Sequence, residues 1–347
     1  MRLTYLIGAG ASAGAIPVVS DLLKDIQSFH SELKNSLKPE DLKSIPVDIF
    51  LTKPPEEVIR EILDDVQWLI NESENYSTID TLAKKLYLSD KDERNDYKKL
   101  KNILTIYFNF RQFKKPLDPR YDNFFATILR KKNGKIEIPK NICIISWNYD
   151  VQFELSLSKF LQKSISDLVK DDIQLILPNT EFNNLDPSKF TLIKLNGLAI
   201  YKDTNKQMKF LSEMLKSDEF ENSYKNQTIM LDYALLQSSN HENFLSFAWE
   251  DKKNLPDLTN WIRSVIQKSD TLSVIGYSFP NFNRDIDYQL LNNTFNIGGE
   301  IVIQNPLGES LKEKVSKIIL KLPSQSISTD EDLKNFHIPA DFIFNYD

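Results

Sequence analysis

The stretch LIGAGASAGAIPVVSDL, residues 6–22, decides how this chain is interpreted, because it joins an apolar segment to an apparent helix through three glycines. Gly8 and Gly10 lack a Cβ atom, so the backbone at these positions can approach another group closely. The N–H groups at the start of the helix, from about Ser20, attract anions. A nucleotide phosphate fits this pattern, and so does a strand-to-helix turn that merely packs tightly. Both interpretations stay open at this point.

The composition is that of a globular protein. The chain has 347 residues, of which 41% are hydrophobic, enough for a substantial core. Its net charge of -6 without a basic face argues against nucleic-acid binding. Cys143 is the single cysteine and there are three histidines, so we expect neither a disulfide nor a structural metal. No apolar run approaches the roughly 20 residues of a membrane span and no leader peptide is recognisable, so we expect a cytoplasmic protein.

Five short runs rich in Val, Ile and Leu predict buried parallel strands. They are residues 3–7, 142–146, 191–195, 271–275 and 300–304, and a sixth strand is predicted at 173–177. Each of the five runs ends in small or polar residues. Open α/β sheets bind ligands at the carboxyl ends of their strands. We therefore predict an α/β fold with a Rossmann-like parallel sheet, helices on both faces and a site at that edge.

The long segment between the first two runs has a helical pattern. PPEEVIREILDDVQWLI (54–70) and YDNFFATILRKK (121–132) carry apolar residues at spacings of three and four. Pro54 and Pro55 predict a helix start, and Glu56 and Glu57 suit its positive end. We expect one domain over residues 1–347, with a large helical insertion after the first strand at about 35–140 and a smaller insertion at about 203–245.

A second motif, Ser146-Trp147-Asn148-Tyr149-Asp150, places a carboxamide and a carboxylate two residues apart at the end of the second run. Asn148 can exchange hydrogen bonds with ribose hydroxyls or a water, and Asp150 can accept one from an amide NH₂ group. The alternative is an Asx turn in which Asp150 caps the next helix. The local sequence is compatible with both.

Three later strands end in comparable motifs, which are Lys194-Leu195-Asn196-Gly197, Gly276-Tyr277-Ser278-Phe279-Pro280 and Gln304-Asn305-Pro306. Each alone is an ordinary strand-end turn, but their repetition in order indicates one ligand crevice. Asp285 and Asp287 follow the second of them. We interpret these two residues as solvated or capping groups rather than catalytic acids.

Together the motifs resemble those of the SIR2-like family, in particular its zinc-free bacterial branch related to sirtuins. GAGAS followed by IP (8–17) resembles the family's phosphate loop, WNYD (147–150) its Asn-x-Asp motif and KLNG (194–197) its His-Gly motif. GYS (276–278) resembles its Gly-Thr-Ser motif, and IQNP (303–306) its strand with the adenosine-binding Asn. The resemblance covers about residues 1–30, 140–200 and 255–310 and leaves the helical insertions unmatched.

The resemblance implies that the chain binds NAD⁺ as substrate, without a metal. Asn148 would orient the nicotinamide ribose and a water, and Asp150 would bind the nicotinamide carboxamide, so these two are the predicted catalytic residues. The implied NAD⁺-binding residues are Gly8, Ala9, Gly10, Ser12, Ile16, Pro17, Trp147, Asn196, Gly197, Gly276, Ser278 and Asn305. Within this set the first four would hold the diphosphate, and Ile16 and Pro17 would lie near the nicotinamide. Gly276 and Ser278 would contact phosphate or ribose, and Asn305 the adenosine ribose.

The chain departs from the family pattern at Asn196, which stands where the family usually has its catalytic histidine. An amide is no base, so transfer to an acyl-lysine is not expected. Hydrolysis depends more on the positioning of water, although loss of a general base costs roughly 10²–10⁴-fold. Zinc-binding cysteines are also absent from the sequence.

The resemblance thus implies an NAD⁺ hydrolase that releases ADP-ribose and nicotinamide as an effector of bacterial antiphage defence. Such an enzyme needs control, so we expect a homo-oligomer or a complex with a sensor or activator subunit. The alternative is a weakly active or inactive SIR2-like subunit that binds NAD or another nucleotide as sensor or scaffold, which Asn196 favours. An NAD-dependent dehydrogenase ranks third, because the sequence has no recognisable catalytic His or Tyr-Lys pair.

Overall fold

The computed structural model describes residues 2–42, 53–89, 94–114, 117–178, 185–186, 189–202, 208–209, 229–230, 232–234, 236–237, 242–250, 252, 255–292, 299–319 and 326–346. The chain divides into two compact units. We call the first, which comprises Met1–Gly14, Leu117–Leu198 and Phe247–Asp347, the sheet unit. We call the second, which comprises Ala15–Pro116 and Ala199–Ser246, the helical unit.

The strands of the described part of the chain are β1 (Leu3–Ile7), β2 (Arg130–Lys132), β3 (Lys135–Glu137), β4 (Ile142–Ser146), β5 (Gln174–Ile176), β6 (Thr191–Lys194), β7 (Gly197–Lys202), β8 (Met208–Lys209), β9 (Glu242–Leu245), β10 (Thr271–Ile275), β11 (Glu300–Gln304) and β12 (Ile327–Thr329). The α-helices are α1 (Leu22–Ser36), α2 (Pro55–Ser73), α3 (Ile79–Leu88), α4 (Arg94–Lys114), α5 (Pro119–Ile128), α6 (Gln152–Leu161), α7 (Ile165–Asp171), α8 (Leu255–Gln267), α9 (Arg284–Leu291) and α10 (Gly308–Ile318).

The sheet unit is built on seven parallel strands in the order β12-β11-β10-β1-β4-β6-β5. The predicted α/β fold with a Rossmann-like parallel sheet is therefore confirmed. Ile7, the last residue of β1, pairs with Ser146 of β4 on one side and with Ile275 of β10 on the other, so the strands end at a common edge. The chain leaves β1 towards β4 and later continues on the opposite side from β10 towards β12. The boundary between β1 and β10 is thus the switch point at which such sheets form their ligand crevice.

Apolar residues cover both faces of this sheet because alternate side chains of a buried strand point to opposite faces. On one face Leu6, Ile145 and Val274 belong to a core shared with α8, α9 and α10. On the other face Tyr5 and Ile144 belong to a second core shared with α5, α6 and α7. This two-sided burial explains why the strands are continuous apolar runs in the sequence.

Three local predictions need correction. The helical pattern of residues 121–132 stops at Ile128, and the chain then forms a β2–β3 hairpin. Asn133 and Gly134, both at positive φ, form its two-residue turn, a conformation that Asn-Gly pairs adopt readily. A strand that is not among the predicted ones, β12, lies at one edge of the sheet. The predicted strands at 191–195 and 173–177 are shorter, at Thr191–Lys194 and Gln174–Ile176.

The helical unit contains α1 to α4 and a three-stranded sheet in the order β8-β7-β9, whose middle strand begins in the sheet unit. As predicted, α2 starts at the double proline, with Glu56 and Glu57 in its first turn. Arg111 of α4 is almost fully buried and forms ion pairs with Asp25 and Glu32 of α1. A buried guanidinium of this kind would be costly without its carboxylate partners.

The predicted insertions at 35–140 and 203–245 overlap the helical unit, but residues 117–140 belong to the sheet unit. Residues 203–207, 210–228 and 238–241, which include most of the second insertion, lie outside the described residues. The expectation of one domain with two insertions stays a prediction, because a division into compact units does not test whether either folds alone.

Candidate functional site

Backbone hydrogen bonds join the loops that follow β1, β10 and β11 at the carboxyl edge of the sheet. The Gly8 N–H donates to Ile275 O at 3.0 Å and the Gly10 N–H to Gly276 O at 2.9 Å. The Gly276 N–H donates in turn to Gln304 O, again at 2.9 Å. The predicted Gly8, Gly10 and Gly276 therefore lie in one continuous group at the switch point.

The glycines are needed here because backbone meets backbone. A Cβ atom on Gly8 would lie 2.6 Å from the Tyr277 Cα, and one on Gly10 would lie 2.8 Å from the Gly276 Cα. Gly276 also has φ +61°, a conformation that other residues rarely adopt. The structure thus supplies the tight-packing explanation of these glycines. Diphosphate binding at the same loop stays a prediction.

We call residues 8–14, which follow β1, the glycine loop. Several of its N–H groups already donate hydrogen bonds to carbonyl oxygens of the protein itself. Besides Gly8 and Gly10, Ala11 donates to Gly8 O at 2.9 Å, within a short 3₁₀ helix (Ala9–Ser12). A diphosphate at this loop would need donors from other groups. The helix predicted from about Ser20 is α1, preceded by a 3₁₀ turn (Val19–Asp21), and it belongs to the helical unit.

Ile16 and Pro17 also belong to the helical unit, whereas every contact of the site described in this section lies within the sheet unit. Their predicted place beside the nicotinamide therefore stays a prediction. Ala9, by contrast, sits in the glycine loop of the sheet unit, where it is half-buried.

Asn148 and Asp150, the predicted catalytic pair, meet in a buried network centred on Ser12. The Ser12 hydroxyl donates to Asp150 Oδ2 at 2.7 Å. It accepts from Asn148 Nδ2 at 3.2 Å, and the Tyr121 hydroxyl lies 2.7 Å away. A serine hydroxyl has one proton and two lone pairs. Because its proton goes to the carboxylate, Tyr121 must donate to Ser12, and the Ser12 oxygen is then fully used.

The hydrogen-bond partners of the Ser12 hydroxyl are protein side chains, whereas the predicted partner is the diphosphate. The sequence resemblance placed Ser12 on the diphosphate, but its hydroxyl is buried and its hydrogen-bonding capacity is taken up by Asn148, Tyr121 and Asp150. The geometry gives Ser12 the role of a link between the two predicted catalytic residues.

Asn148 is held at both ends. Its side-chain NH₂ group donates to Gly8 O at 3.1 Å as well as to Ser12, and its backbone N–H donates to Ser146 Oγ at 3.1 Å. Both amide hydrogens are therefore directed at protein acceptors. The part of the side chain that remains able to contact a ligand is the carbonyl oxygen, which accepts hydrogen bonds.

Asp150 has two further hydrogen-bond partners besides Ser12. Its Oδ1 accepts from the backbone N–H of Gln152 at 3.3 Å, the Asx-type cap that we considered as the alternative reading of this residue. Its backbone oxygen accepts from Lys194 Nζ at 2.6 Å. Lys194 also lies 3.3 Å from Glu154 Oε1, and both side chains are fully buried. Burial raises the pKa of Glu154, and the neighbouring Lys194 charge opposes that shift.

Residues at the start of α5 form hydrogen bonds with three alternate residues of the glycine loop, Gly10, Ser12 and Gly14. Arg120 Nη2 donates to Gly10 O at 3.0 Å, Tyr121 donates to Ser12, and the Gly14 N–H donates to Asp118 Oδ2 at 2.9 Å. Asp118 also accepts from Arg120, which holds the pKa of its carboxyl below the usual value despite burial. Sequence analysis missed Asp118, Arg120 and Tyr121. The Asp-Pro pair marks a helix start, but nothing local indicates what the helix faces.

Trp147, predicted to bind cofactor, packs in the core instead of lining an open surface. It is buried and its ring stacks on Tyr277 at 5.9 Å between centroids. The Tyr277 hydroxyl donates to both carboxylate oxygens of Asp287, at 2.9 and 2.8 Å. The interpretation of Asp287 as a solvated or capping residue is wrong, because this side chain is buried, whereas Asp285 is exposed.

We predict that Asp287→Asn stabilises the protein at alkaline pH. Burial raises the pKa of Asp287 to about 8, while the Tyr277 hydrogen bonds and the Lys314 charge oppose the shift. The folded chain then holds a proton that the unfolded chain releases near pH 4. Stability from this group is therefore full below that pH and falls as pH rises to about 8, by at most about 1.4 kcal/mol per pH unit.

The measurement is the free energy of unfolding of wild type and variant from pH 4 to 9. The variant should lack the fall and exceed wild type on the order of 2 kcal/mol at pH 8. Asp285→Asn, a matched change at an exposed position of the same helix, should track wild type. Parallel curves for wild type and Asp287→Asn would contradict the prediction.

Asn196 and Gly197 follow β6 at the same carboxyl edge of the sheet. Asn196 Nδ2 donates to Trp147 O at 3.2 Å, while its buried Oδ1 has no hydrogen-bond partner among the described residues. Gly197 has φ +69°, which accounts for glycine at this turn. Lys252 Nζ donates to Leu195 O at 3.0 Å and fixes the same turn from another loop.

Ser278 and Asn305 lie at the outer side of the edge. Ser278 is exposed, and the next residue, Phe279, is buried at φ +52°. Lys314 Nζ donates to Ser278 O at 3.1 Å and to Phe279 O. Asn305 Oδ1 accepts from the Leu307 N–H at 2.9 Å, and its Nδ2 lies 3.5 Å from Tyr277 O. Asn305 thus shapes the turn before α10.

No protein-family model and no curated protein matches the chain. Within the described ranges, no helix combines the length and apolar character of a membrane span. Across those same residues, His, Cys, Asp and Glu side chains form no group of three or more that could hold a metal ion.

Proposed function

We propose that the sheet unit binds NAD⁺ and hydrolyses the bond between nicotinamide and ribose, producing nicotinamide and ADP-ribose. The observation that supports this most directly is the network in which Ser12 joins Asn148 to Asp150 beside the glycine loop. Two residues predicted to act on one substrate are thereby fixed in one place, at the edge of the sheet next to its switch point.

Hydrolysis of the bond between nicotinamide and ribose requires positioning of the substrate and stabilisation of charge rather than a strong nucleophile. The C1′–N bond of the nicotinamide ribose breaks with its electron pair leaving on nicotinamide, so positive charge develops on the ribose. A water oxygen then bonds to C1′ and its proton passes to solvent. Fixed dipoles and a carboxylate in a site with little water favour such a transition state.

The two residues suit different parts of this reaction. The Asn148 carbonyl oxygen can accept from a ribose hydroxyl or from the attacking water, because its amide hydrogens are already engaged. The Asp150 carboxylate is held by Ser12 and by the Gln152 N–H, which fixes its orientation without removing its charge. In our proposal it receives the nicotinamide carboxamide, and its charge favours the developing cation.

The test is incubation of purified protein with NAD⁺, alone and with added cell lysate, followed by quantification of nicotinamide and ADP-ribose. We expect equimolar release of both products, with no reduced nicotinamide absorbance. Heat-inactivated protein in the same lysate serves as control. Absence of release in every condition would refute the hydrolase proposal.

A second candidate is a protein that binds NAD⁺ without cleaving it and acts as a sensor or scaffold. It is favoured by Asn196, whose amide cannot act as a base, and by the glycine loop, in which the N–H groups of Gly8, Gly10 and Ala11 already donate to protein carbonyls. Calorimetry separates the two candidates. Measurable NAD⁺ binding without nicotinamide release would select the second.

We further propose that turnover is controlled by assembly and serves antiphage defence through depletion of NAD⁺ in the cytoplasm. This part is supported by the sequence resemblance alone. Control by a homo-oligomer or by a sensor or activator subunit predicts that activity rises with the assembled species. Size-exclusion chromatography that yields a permanent, fully active monomer would refute it.

A further inference from the structure

We infer that Tyr121 is a positioning residue for the proposed reaction and acts on Asn148 and Asp150 through Ser12. The inference rests on the proposed function, which it extends to an element that the sequence motifs do not include. Tyr121 lies in the first turn of α5, within the segment whose pattern indicated only an ordinary amphipathic helix.

The Tyr121 ring is fixed by its surroundings. It is fully buried, and Phe153 and Phe336 meet it edge to face at centroid distances of 4.6 and 5.0 Å. A ring held by two such neighbours has little freedom to move its hydroxyl. The hydroxyl is therefore presented to Ser12 at 2.7 Å by the packing of the core itself.

The Tyr121 hydroxyl sets the direction of the network. It supplies one of the two hydrogen bonds that Ser12 accepts, and Asn148 supplies the other. With both lone pairs occupied, the Ser12 proton has the Asp150 carboxylate as its acceptor. Removal of the Tyr121 hydroxyl takes away one of the three hydrogen bonds that hold Ser12, so the partner shared by both predicted catalytic side chains is less firmly fixed.

Tyr121 acts as a donor throughout the usual pH range. Burial, and next the Asp150 charge, raise the pKa of its hydroxyl well above the ordinary tyrosine value. The hydroxyl therefore keeps its proton, and the direction of the network does not change with pH. This is the property expected of a positioning group rather than of a general base.

The test compares Tyr121→Phe with Tyr5→Phe. Tyr5 is a matched control because it is buried in the same core, and its hydroxyl donates to His337 O at 2.8 Å instead of to the site. Each variant loses one buried hydrogen bond, so we expect both to melt about 2 °C below wild type. We expect kcat for nicotinamide release to fall about ten- to hundredfold in Tyr121→Phe alone, with KM nearly unchanged.

A double-mutant cycle with Ser12→Ala then tests the route of the effect. If Tyr121 acts through Ser12, adding Tyr121→Phe to Ser12→Ala changes kcat by less than about twofold. The inference would be overturned if the fold losses in kcat of the two single variants multiplied in the double variant. It would also be overturned if Tyr121→Phe had the kcat of wild type. A wild-type protein that releases no nicotinamide from NAD⁺ in any condition, whether or not it binds NAD⁺, overturns the proposed hydrolase function and the inference with it. This outcome is visible before any variant is made.

Discussion

Replacing Asn148 with Ala should lower nicotinamide release by roughly a hundred- to a thousandfold, the range found when one fixed polar group of an active site is removed. The change deletes the carbonyl oxygen proposed to face the ribose or the water. It also deletes the donors to Gly8 O and Ser12 Oγ. We expect the loss mainly in kcat, because most of the NAD⁺ contacts proposed lie elsewhere along the edge.

Two further variants sharpen this test. Asn148→Asp keeps an acceptor of the same shape but loses both amide donors and adds a charge near Asp150, so it should be as impaired as Asn148→Ala. Asn141→Ala is the matched control, because Asn141 precedes the opposite end of β4 and donates to Ile343 O at 2.8 Å. Wild-type turnover in Asn148→Ala would show that the site has been assigned to the wrong residues.

Replacing Gly276 with Ala should destabilise the protein by about 4 kcal/mol or prevent folding. Residues other than glycine pay about 1–2 kcal/mol for a φ near +60°. The added Cβ would also overlap the backbone nitrogen of Ala11 and lie 2.7 Å from the Gly10 Cα. Backbone atoms cannot rotate away, so the loops after β1 and β10 would have to separate and lose their mutual hydrogen bonds.

Gly134→Ala separates the two contributions. Gly134 has a similar φ of +79°, but none of the described heavy atoms outside its immediate neighbours lies within 4 Å of the added Cβ. Its cost in urea unfolding should therefore be the conformational part alone, about 1–2 kcal/mol. Equal costs at Gly134 and Gly276 would mean that the close contact between the two loops does not contribute to stability.

Much of the sheet could be predicted because burial on both faces leaves a clear record in the sequence. β1, β4, β10 and β11 were predicted with their exact bounds, since a strand covered by helices on each side is a mostly apolar run rather than an alternating one. β12 was missed because only Ile327 of its three residues is apolar and fully buried. The β2–β3 hairpin was missed because the helical pattern was extended to Lys132, directly before the Asn-Gly turn.

The site was predictable where topology alone brings residues together. Gly8, Asn148 and Gly276 follow parallel strands, and parallel strands end at one edge. The burial of Trp147 and Asp287 was not predictable, because burial depends on what packs against a side chain. The contact of Tyr121 with the site was not predictable either, because its partner Ser12 is 109 residues away in the chain.

The central position of β1 has a consequence for synthesis on the ribosome. Leu3 pairs with Ile142 on one side and with Thr271 on the other, so β1 gains its second neighbour only after the chain between β4 and β10 has been made. At translation speeds of about 5–20 residues per second, roughly tens of seconds pass before β10 emerges. During that time the nascent chain carries a largely apolar strand with an open edge, which exposes it to pairing with other chains.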